Sequence, residues 1–223
     1  GWWIRRIGHN LELFDLLRID HFRGFAASWH IPADAKTAVN GAWVEGPKDK
    51  FFAALFKQYP FAPLIAEDLG TITADVRDIL QQFELPGMKV LVFAFDGKPG
   101  ENPYALHHHV PNSVLYTGTH DNNPLKGWFL KEATVHQKQN LFDYVGSTLS
   151  ETEVCPALIR LAMMSVCRLV IVPMQDILQL GEEARMNRPG TRTGNWEWRM
   201  YAGEVPESVT EELLAMARLY GRA

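Results

Sequence analysis

The sequence predicts an α/β fold in which parallel strands carry acids at their carboxyl ends. Three short apolar runs each lead to an acid: the first to Asp20, the second to Glu67 and the third to Asp121. The intervals between these acids suit one or two strand–helix units apiece. Because the strands of a TIM (β/α)8 barrel all end at one mouth, such acids can converge there. We therefore expect a barrel of this type.

The composition is that of an ordinary globular protein. The chain has 223 residues, of which 47% are hydrophobic and 22% charged, and its formal net charge is −4. That length is enough to bury one sizeable core. The charge gives no reason to expect nucleic acid or an anionic membrane as a partner. No apolar run approaches the ~20 residues of a membrane span. No basic, apolar, small-residue pattern opens the sequence, so nothing in it leads us to expect secretion.

The two cysteines, Cys155 and Cys167, indicate neither a zinc site nor a disulfide framework. Both fall within 155–168, which is rich in Leu, Ala and Met and is predicted to be one helix. Their spacing along a helix places them too far apart to form a disulfide. We expect buried, reduced thiols, which suit a cytoplasmic protein.

The chain is predicted to begin with a helix that runs into a strand. Residues 2–17 place apolar side chains at helical spacing, and residues 17–20 form the strand that presents the first acid. Glycines and prolines punctuate 23–49, which favours a long loop of the kind that builds barrel active sites. Within that loop, Asn40-Gly41 favours a tight hairpin turn.

Helices and strands then alternate. Residues 49–58 show helical spacing, 63–67 form the second acid-bearing strand, and Thr73 is predicted to cap a helix that reaches Phe83. Residues 88–95 are almost entirely apolar, as expected of a strand covered on both faces. Residues 114–118 form the third acid-bearing strand.

The carboxyl-terminal part is predicted to contain one more strand and a final helix. Residues 169–174 form that strand, and a loop rich in Gly, Arg and Trp occupies 181–203. The residues from Ser208 to Glu211 match a capping box that opens a helix to about Tyr220. The predicted strands number five, and they end at Asp20, at Glu67, near Phe95, at Asp121 and near Gln175.

Three consecutive histidines, His107, His108 and His109, lie in the loop predicted for 96–113. Adjacent side chains of an extended segment point to opposite faces, so such a run rarely binds one metal ion. A turn beside the cleft is the favoured interpretation, and no metal site is expected.

The surroundings of the first acid suit catalysis. Asp20 stands between Arg18 and His21, and nearby cations favour the ionised carboxylate. An ionised carboxylate in a cleft can act as a nucleophile, although an acid among arginines is as readily a surface salt-bridge cluster. Paired carboxylates at one mouth are what glycosidic-bond chemistry requires.

Six motifs occur in order along nearly the whole chain: RIDHFRGF at 18–25, KTAVNGAWVEGP at 36–47, AEDLG at 66–70, LPGMKVLVFAF at 85–95, TGTHDNN at 117–123 and EARMNRPGT…GNWEWR at 183–199. In this set the chain resembles the 4-alpha-glucanotransferases, or amylomaltases, of glycoside hydrolase family 77. The resemblance implies that residues 1–223 are the carboxyl-terminal part of a catalytic (β/α)8 barrel. Because a barrel needs eight strands, the missing amino-terminal half would supply the others.

The resemblance also implies roles for individual residues. Asp20 is the expected nucleophile, Glu67 the general acid/base, and Asp121 the stabiliser of the transition state. Residues expected to bind the sugar are Arg18, His21, His120 and Asn187. The implied substrates are maltooligosaccharides and 1,4-alpha-glucans, which are cleaved and rejoined by a retaining double displacement without a cofactor.

Three other functions fit parts of the pattern. An alpha-amylase-type hydrolase would use the same acids with water as the acceptor. A carbohydrate-binding fragment without turnover is another alternative. A metallohydrolase barrel is disfavoured, because no HxH pattern or histidine cluster stands at the end of a predicted strand.

Overall fold

A computed structural model describes all 223 residues and divides them into two compact units, Gly1–Met88 and Lys89–Ala223. No helix combines the length and the apolar character that crossing a membrane would require. The first unit contains α1 (Trp2–Leu11), β1 (Leu17–Ile19), β2 (Ala27–His30), β3 (Ala42–Glu45), α2 (Lys48–Gln58), β4 (Leu64–Ala66) and α3 (Ala74–Gln82).

The first unit is organised around a parallel strand pair and a cluster of phenylalanines. β1 pairs with β4 in parallel, so that Leu17 lies opposite Leu64. Phe22 stacks on Phe52 with ring centroids 5.1 Å apart, and both side chains are fully buried. Burying rings of this size supplies much of the apolar area that holds a unit of this length together. Most phenylalanines of the unit therefore serve the core.

The first helix is shorter than predicted. α1 ends at Leu11, and the apolar side chains of Leu13, Phe14 and Leu16 that follow are at least half exposed. Both Leu13 and Phe14 donate their main-chain N–H to the carbonyl of Asn10, which closes the last turn. The apolar residues therefore continue past the end of α1 into a segment that is not helical.

The predicted loop at 23–49 contains a two-stranded hairpin. The prediction of a tight turn at Asn40-Gly41 is wrong. β2 and β3 pair antiparallel with Trp29 opposite Trp43, and the whole of 31–41 connects them. A Cβ at Gly41 would lie 2.6 Å from the carbonyl oxygen of His30. The glycine is required by this close approach rather than by a tight turn.

Two helices of the first unit lie where the sequence indicates. α2 differs from the predicted 49–58 by one residue, and Thr73 stands at the N-cap position of α3. The Thr73 hydroxyl does not cap a main-chain N–H but donates to Asp75 Oδ1 at 2.5 Å, and that oxygen accepts from the Val76 N–H. Asp75 therefore satisfies a main-chain donor of the first turn.

The second unit contains α4 (Leu125–Gly127), continued by a π-helical turn (Trp128–Glu132), α5 (Val135–Val145), α6 (Val154–Met164), α7 (Met174–Ile177) and α8 (Glu207–Leu219). Its three strands, in sheet order, are β5 (Gly87–Val90, across the division of the chain), β6 (Ser113–Tyr116) and β7 (Leu169–Ile171). β6 and β7 are parallel, with Leu115 opposite Val170.

Two predicted strands are shorter than expected. β5 ends at Val90, and Leu91–Phe95 form a 3-10 helix whose side chains are mostly buried. A continuous apolar run does not distinguish a buried strand from a buried helical turn. β7 ends at Ile171, two residues before Pro173, which has no N–H for a ladder and precedes the helical turn α7.

Helix ends in the second unit also differ from the prediction. α8 begins at Glu207, and the capping box predicted from Ser208 does not form. A capping box forms instead at Thr134 and Gln137, where it opens α5, a helix that the sequence did not indicate. Thr134 Oγ1 accepts from the Gln137 N–H, and Gln137 Oε1 accepts from the Thr134 N–H.

Both cysteines are buried free thiols, as predicted, but only Cys155 is helical, because α6 ends three residues before Cys167. Burial raises the pKa of the Cys155 thiol to about 12. The three consecutive histidines have separate partners: His107 contacts the Tyr144 hydroxyl, His108 the carbonyl of Gly100 and His109 the carbonyl of Tyr104.

Candidate active site

Asp20 and Glu67 stand side by side in the fold of the first unit. Each follows directly on one of the two parallel strands, β1 and β4, whose carboxyl ends share an edge. The Glu67 N–H donates to the Ile19 carbonyl at 2.9 Å, and the Phe22 N–H donates to the Glu67 carbonyl at 3.0 Å. The ladder thus extends through the acids and fixes their main chain.

Asp20 is paired with a cation and open to solvent. Arg18 Nη2 lies 2.6 Å from Asp20 Oδ1, and the Asp20 side chain is 77% exposed. Arg18 itself is only 26% exposed, and its Nη1 lies 3.7 Å from the sulfur of Met88. The less exposed arginine can therefore orient a carboxylate that remains free to meet a ligand.

Glu67 is held by main-chain donors. Its Oε2 accepts from the N–H of His21 at 2.6 Å, and its Oε1 accepts from the N–H of Leu69 at 3.0 Å. His21 has a φ of 47°, in the left-handed region that residues other than glycine rarely adopt. This conformation is part of the turn that aims the His21 N–H at Glu67.

Asp68 supports the neighbouring turn. Its Oδ1 accepts from the main-chain N–H of Met88 at 2.7 Å. A Cβ at Gly87 would lie 2.5 Å from Asp68 Oδ2, so a side chain at that position would push the carboxylate away. Asp68 therefore anchors the start of β5, which accounts for an acid beside Glu67.

The third acid, Asp121, lies in the second unit in the loop 117–124 after β6. Its Oδ1 accepts from the side-chain amide of Asn187 at 2.6 Å and lies 3.5 Å from His120 Nε2. The main-chain N–H of Asn187 donates to the His120 carbonyl at 3.0 Å. Three of the predicted site residues, His120, Asp121 and Asn187, are thus in direct contact.

Arg185 was not among the predicted site residues, yet it connects this cluster. It donates to the main-chain carbonyls of Asp121 at 2.7 Å and Asn187 at 2.9 Å. It also pairs with Glu132 at 2.7 Å, and its side chain is 13% exposed. The only signal in the sequence was its place in the motif EARMN, because no local rule links it to an acid 64 residues away.

Trp196 is a second residue that the sequence did not single out. The centroid of its ring lies 5.1 Å from that of the His120 ring, and its main-chain N–H donates to the Met186 carbonyl at 2.6 Å. It has a φ of 63°, so the loop turns sharply to place it. An aromatic face beside a candidate sugar site can stack on the C–H face of a sugar ring.

A pocket of about 130 Å³ adjoins this loop within the second unit. Its lining includes His120, Pro124, Asp176 and Met186. Across the chain, no group of three or more His, Cys, Asp or Glu side chains is arranged to hold a metal ion. The chemistry that these residues offer is therefore that of carboxylates, amides and imidazoles.

A family model described as 4-alpha-glucanotransferase matches residues 1–204. The 4-alpha-glucanotransferase of Thermus thermophilus is 49% identical over 97% of this chain and 44% of its own length. The chloroplastic/amyloplastic 4-alpha-glucanotransferase of Solanum tuberosum is 47% identical over 100% of this chain and 38% of its own length. The resemblance drawn from the six motifs is confirmed.

Among solved structures, the amylomaltase from Streptococcus agalactiae in complex with acarbose has a TM-score of 0.95 and 35% sequence identity to this chain. The match covers 100% of this chain and 45% of the amylomaltase. The chain therefore spans less than half the length of the relatives that it matches.

Proposed function

The chain belongs to the 4-alpha-glucanotransferase family, and from that premise we propose that the complete protein transfers segments of 1,4-alpha-glucans to new acceptors. The donor would be a maltooligosaccharide or a longer glucan, and the acceptor the 4-hydroxyl of glucose or of another glucan. The observation that carries the proposal is the pair of acids, Asp20 and Glu67, at one edge of two paired parallel strands. Adjacent carboxylates are the minimal apparatus for retaining glycosyl transfer.

The fold of the complete protein is part of the proposal. Residues 1–223 would be the carboxyl-terminal part of a catalytic (β/α)8 barrel, and an amino-terminal region would supply the remaining strands. The parallel pairs β1–β4 and β6–β7 support this, as does the match to 45% of an amylomaltase. Cytoplasmic location is also proposed, with the two buried free thiols as its support.

In the first step, an oxygen of Asp20 attacks the anomeric carbon of the donor sugar. The glycosidic C–O bond breaks, and Glu67 gives its proton to the departing oxygen. The product is a glucosyl ester on Asp20. The contact with Arg18 supports this role, because the guanidinium holds one carboxylate oxygen in place while the Asp20 side chain stays open to solvent.

In the second step, the acceptor hydroxyl attacks the same carbon while Glu67, now ionised, takes its proton. The ester bond to Asp20 breaks, and a new glycosidic bond forms with the original anomeric configuration. If water were the acceptor, the outcome would be hydrolysis. A family of relatives named as transferases supports the sugar acceptor.

Asp121 would stabilise the flattened, positively charged sugar ring of the transition state. The amide of Asn187 fixes one oxygen of the Asp121 carboxylate, and His120 lies beside the same oxygen. His120 and Asn187 are proposed to bind sugar hydroxyls. Arg18 and His21 are proposed to do so in the first unit.

Incubation with maltotriose tests this function. A glucanotransferase redistributes glucosyl units and yields both glucose and oligosaccharides longer than maltotriose, whereas a hydrolase yields only shorter products. We expect longer products from the complete protein. We expect none from residues 1–223 alone, since strands without their barrel neighbours lack hydrogen-bond partners. Restored activity on co-expression with the amino-terminal region would support the proposal, and hydrolysis alone would overturn it.

A further inference from the structure

Asp176 is a buried acid that the proposed mechanism does not use. It lies in α7, just beyond β7, and only 1% of its surface is exposed. Its Oδ2 accepts from the hydroxyl of Thr117 at 2.6 Å, and its Oδ1 accepts from the main-chain N–H of Leu125 at 2.7 Å. Both partners are themselves buried, so the two hydrogen bonds are shielded from water.

The two partners of Asp176 bracket the loop that carries Asp121. Thr117 follows β6 directly, and Leu125 is the first residue of α4. Both ends of the intervening loop are therefore held by a single carboxylate that lies more than 50 residues away along the chain. Asp176 thus bonds both the residue at which the loop leaves the sheet and the residue at which it enters the helix.

The loop between these anchors is closed by its own hydrogen bonds. Asn122 Oδ1 accepts from the N–H of Thr119 at 2.8 Å and from its hydroxyl at 2.9 Å. A Cβ at Gly118 would contact Asn122 at 3.4 Å, so the turn is tight. A loop held internally in this way moves as one body, so its anchored ends set the position of Asp121 together with the direct hydrogen bonds from Asn187 and Arg185.

An ionised carboxylate is energetically unfavourable at a position as buried as that of Asp176. Burial raises the pKa of Asp176 to about 6, although the hydrogen bonds from Thr117 and Leu125 oppose that rise. The other titratable groups nearby are Cys155, whose thiol is buried, and Lys126, which interacts with Cys155. Only a carboxylate has two acceptor oxygens with no donor, which matches two converging donors.

We propose that Asp176 is a positioning residue for Asp121, acting through the Thr117 hydroxyl and the Leu125 N–H that hold the two ends of the acid-bearing loop. The inference rests on the proposed function, because Asp121 has a catalytic role only within it. Asp176 itself is 1% exposed and both of its oxygens are already hydrogen-bonded, so we assign it no contact with substrate. Its effect is to keep the loop where Asp121 meets the transition state, and small misplacements of such groups lower rates strongly.

The test uses the complete protein with the substitutions Asp176→Asn and Thr117→Val. Asn keeps the shape of the side chain but replaces one acceptor oxygen with an amide NH2 group, which cannot accept from the Thr117 hydroxyl or the Leu125 N–H. Val at position 117 removes only the Thr117 hydroxyl. We expect kcat on maltotriose to fall about 10- to 100-fold for Asp176→Asn and less for Thr117→Val, with little change in KM. The matched control is Ser113→Ala, which removes a buried hydroxyl from the opposite end of β6 and should leave kcat unchanged.

A double-mutant cycle with Asp121→Asn separates positioning from general damage. If Asp176 acts through Asp121, Asp176→Asn should lower kcat in the wild-type background and have almost no further effect in the Asp121→Asn background. Equal losses in both backgrounds, or an unchanged kcat, would overturn the inference. Should Asp176→Asn fail to fold, the same cycle is run with Thr117→Val. Absence of transfer by the wild type would refute the proposed function instead.

Discussion

The two acid-bearing regions are held in different ways. In the first unit, both oxygens of Glu67 accept from main-chain N–H groups, and Asp20 pairs with Arg18 only two residues away. In the second unit, Asp121 is held by side chains from distant segments: Asn187 bonds its carboxylate, and Arg185 bonds its carbonyl.

This difference predicts how each region responds to substitution. A main-chain donor survives almost any side-chain change that preserves the backbone, so the surroundings of Glu67 should tolerate mutation. A side-chain donor disappears with its residue, so single changes should displace Asp121. We therefore expect the acids themselves to be the most sensitive positions of the first region, and the supports of Asp121 to be sensitive as well in the second.

The largest expected effect is that of Asp20→Asn. An amide cannot attack the anomeric carbon as a carboxylate does, so transfer from maltotriose by the complete protein should fall at least about a thousandfold. Oligosaccharide products are quantified over time. The control is Asp15→Asn, an exposed acid on the same segment, which should be silent. Retention of more than about a tenth of the activity would remove Asp20 as nucleophile.

Glu67→Gln should have the next largest effect, and a selective one. Loss of the proton donor should slow transfer from oligosaccharides about 10²- to 10⁴-fold. Formation of the glucosyl-enzyme from a glycosyl fluoride should be nearly normal, since fluoride leaves without a proton. A burst of fluoride measures that step, and the exposed Glu12→Gln serves as control. Equal losses with both donors would contradict the acid/base assignment.

The sequence allowed more of the first region to be predicted than of the second. A short apolar run followed by an acid is a local pattern, and β1 and β4 each end one residue before the predicted end. The places of Asp20 and Glu67 directly after these strands were predicted for the same reason. Asp20 and its partner Arg18 were also found together, because they are neighbours in sequence.

The supports of Asp121 depend on contacts that no local pattern records. Asn187 was predicted only through the family resemblance, and Arg185 and Asp176 were missed. Their hydrogen bonds to Leu125, to the Asp121 carbonyl and to the Asp121 carboxylate join residues 51 to 66 positions apart. Such contacts follow from tertiary packing. The change from strand to 3-10 helix at Leu91 does so too, because a buried strand and a buried helical turn have the same continuous apolar sequence.

Asp176 also gives the second region a stability that depends on pH. Burial raises the pKa of Asp176 from its ordinary value of 3.8 to about 6 in the folded state, so between these pH values the folded protein binds a proton that the unfolded chain has lost. Its contribution is therefore fully present below about pH 4 and lost as the pH rises through 6.

We expect the difference in unfolding free energy between wild type and Asp176→Asn to shift against the wild type by about 2 kcal/mol between pH 4 and pH 7. Urea unfolding at a series of pH values measures it, and taking the difference cancels the titration of other carboxylates. A difference that stays constant or grows with pH would contradict the raised pKa of Asp176.

The smallest expected effect tests the comparison most directly. Asn187→Ala removes the amide that holds Asp121 Oδ1, and a hydrogen bond to a charged group contributes about 1.5 to 3 kcal/mol. We therefore expect kcat/KM on maltotriose to fall about 10- to 100-fold. Leu69→Ala is the counterpart in the first unit, because the Leu69 N–H that bonds Glu67 remains. Its kcat/KM should change less than about threefold. Equal losses from both substitutions would mean that main-chain donors protect Glu67 no better than side chains protect Asp121.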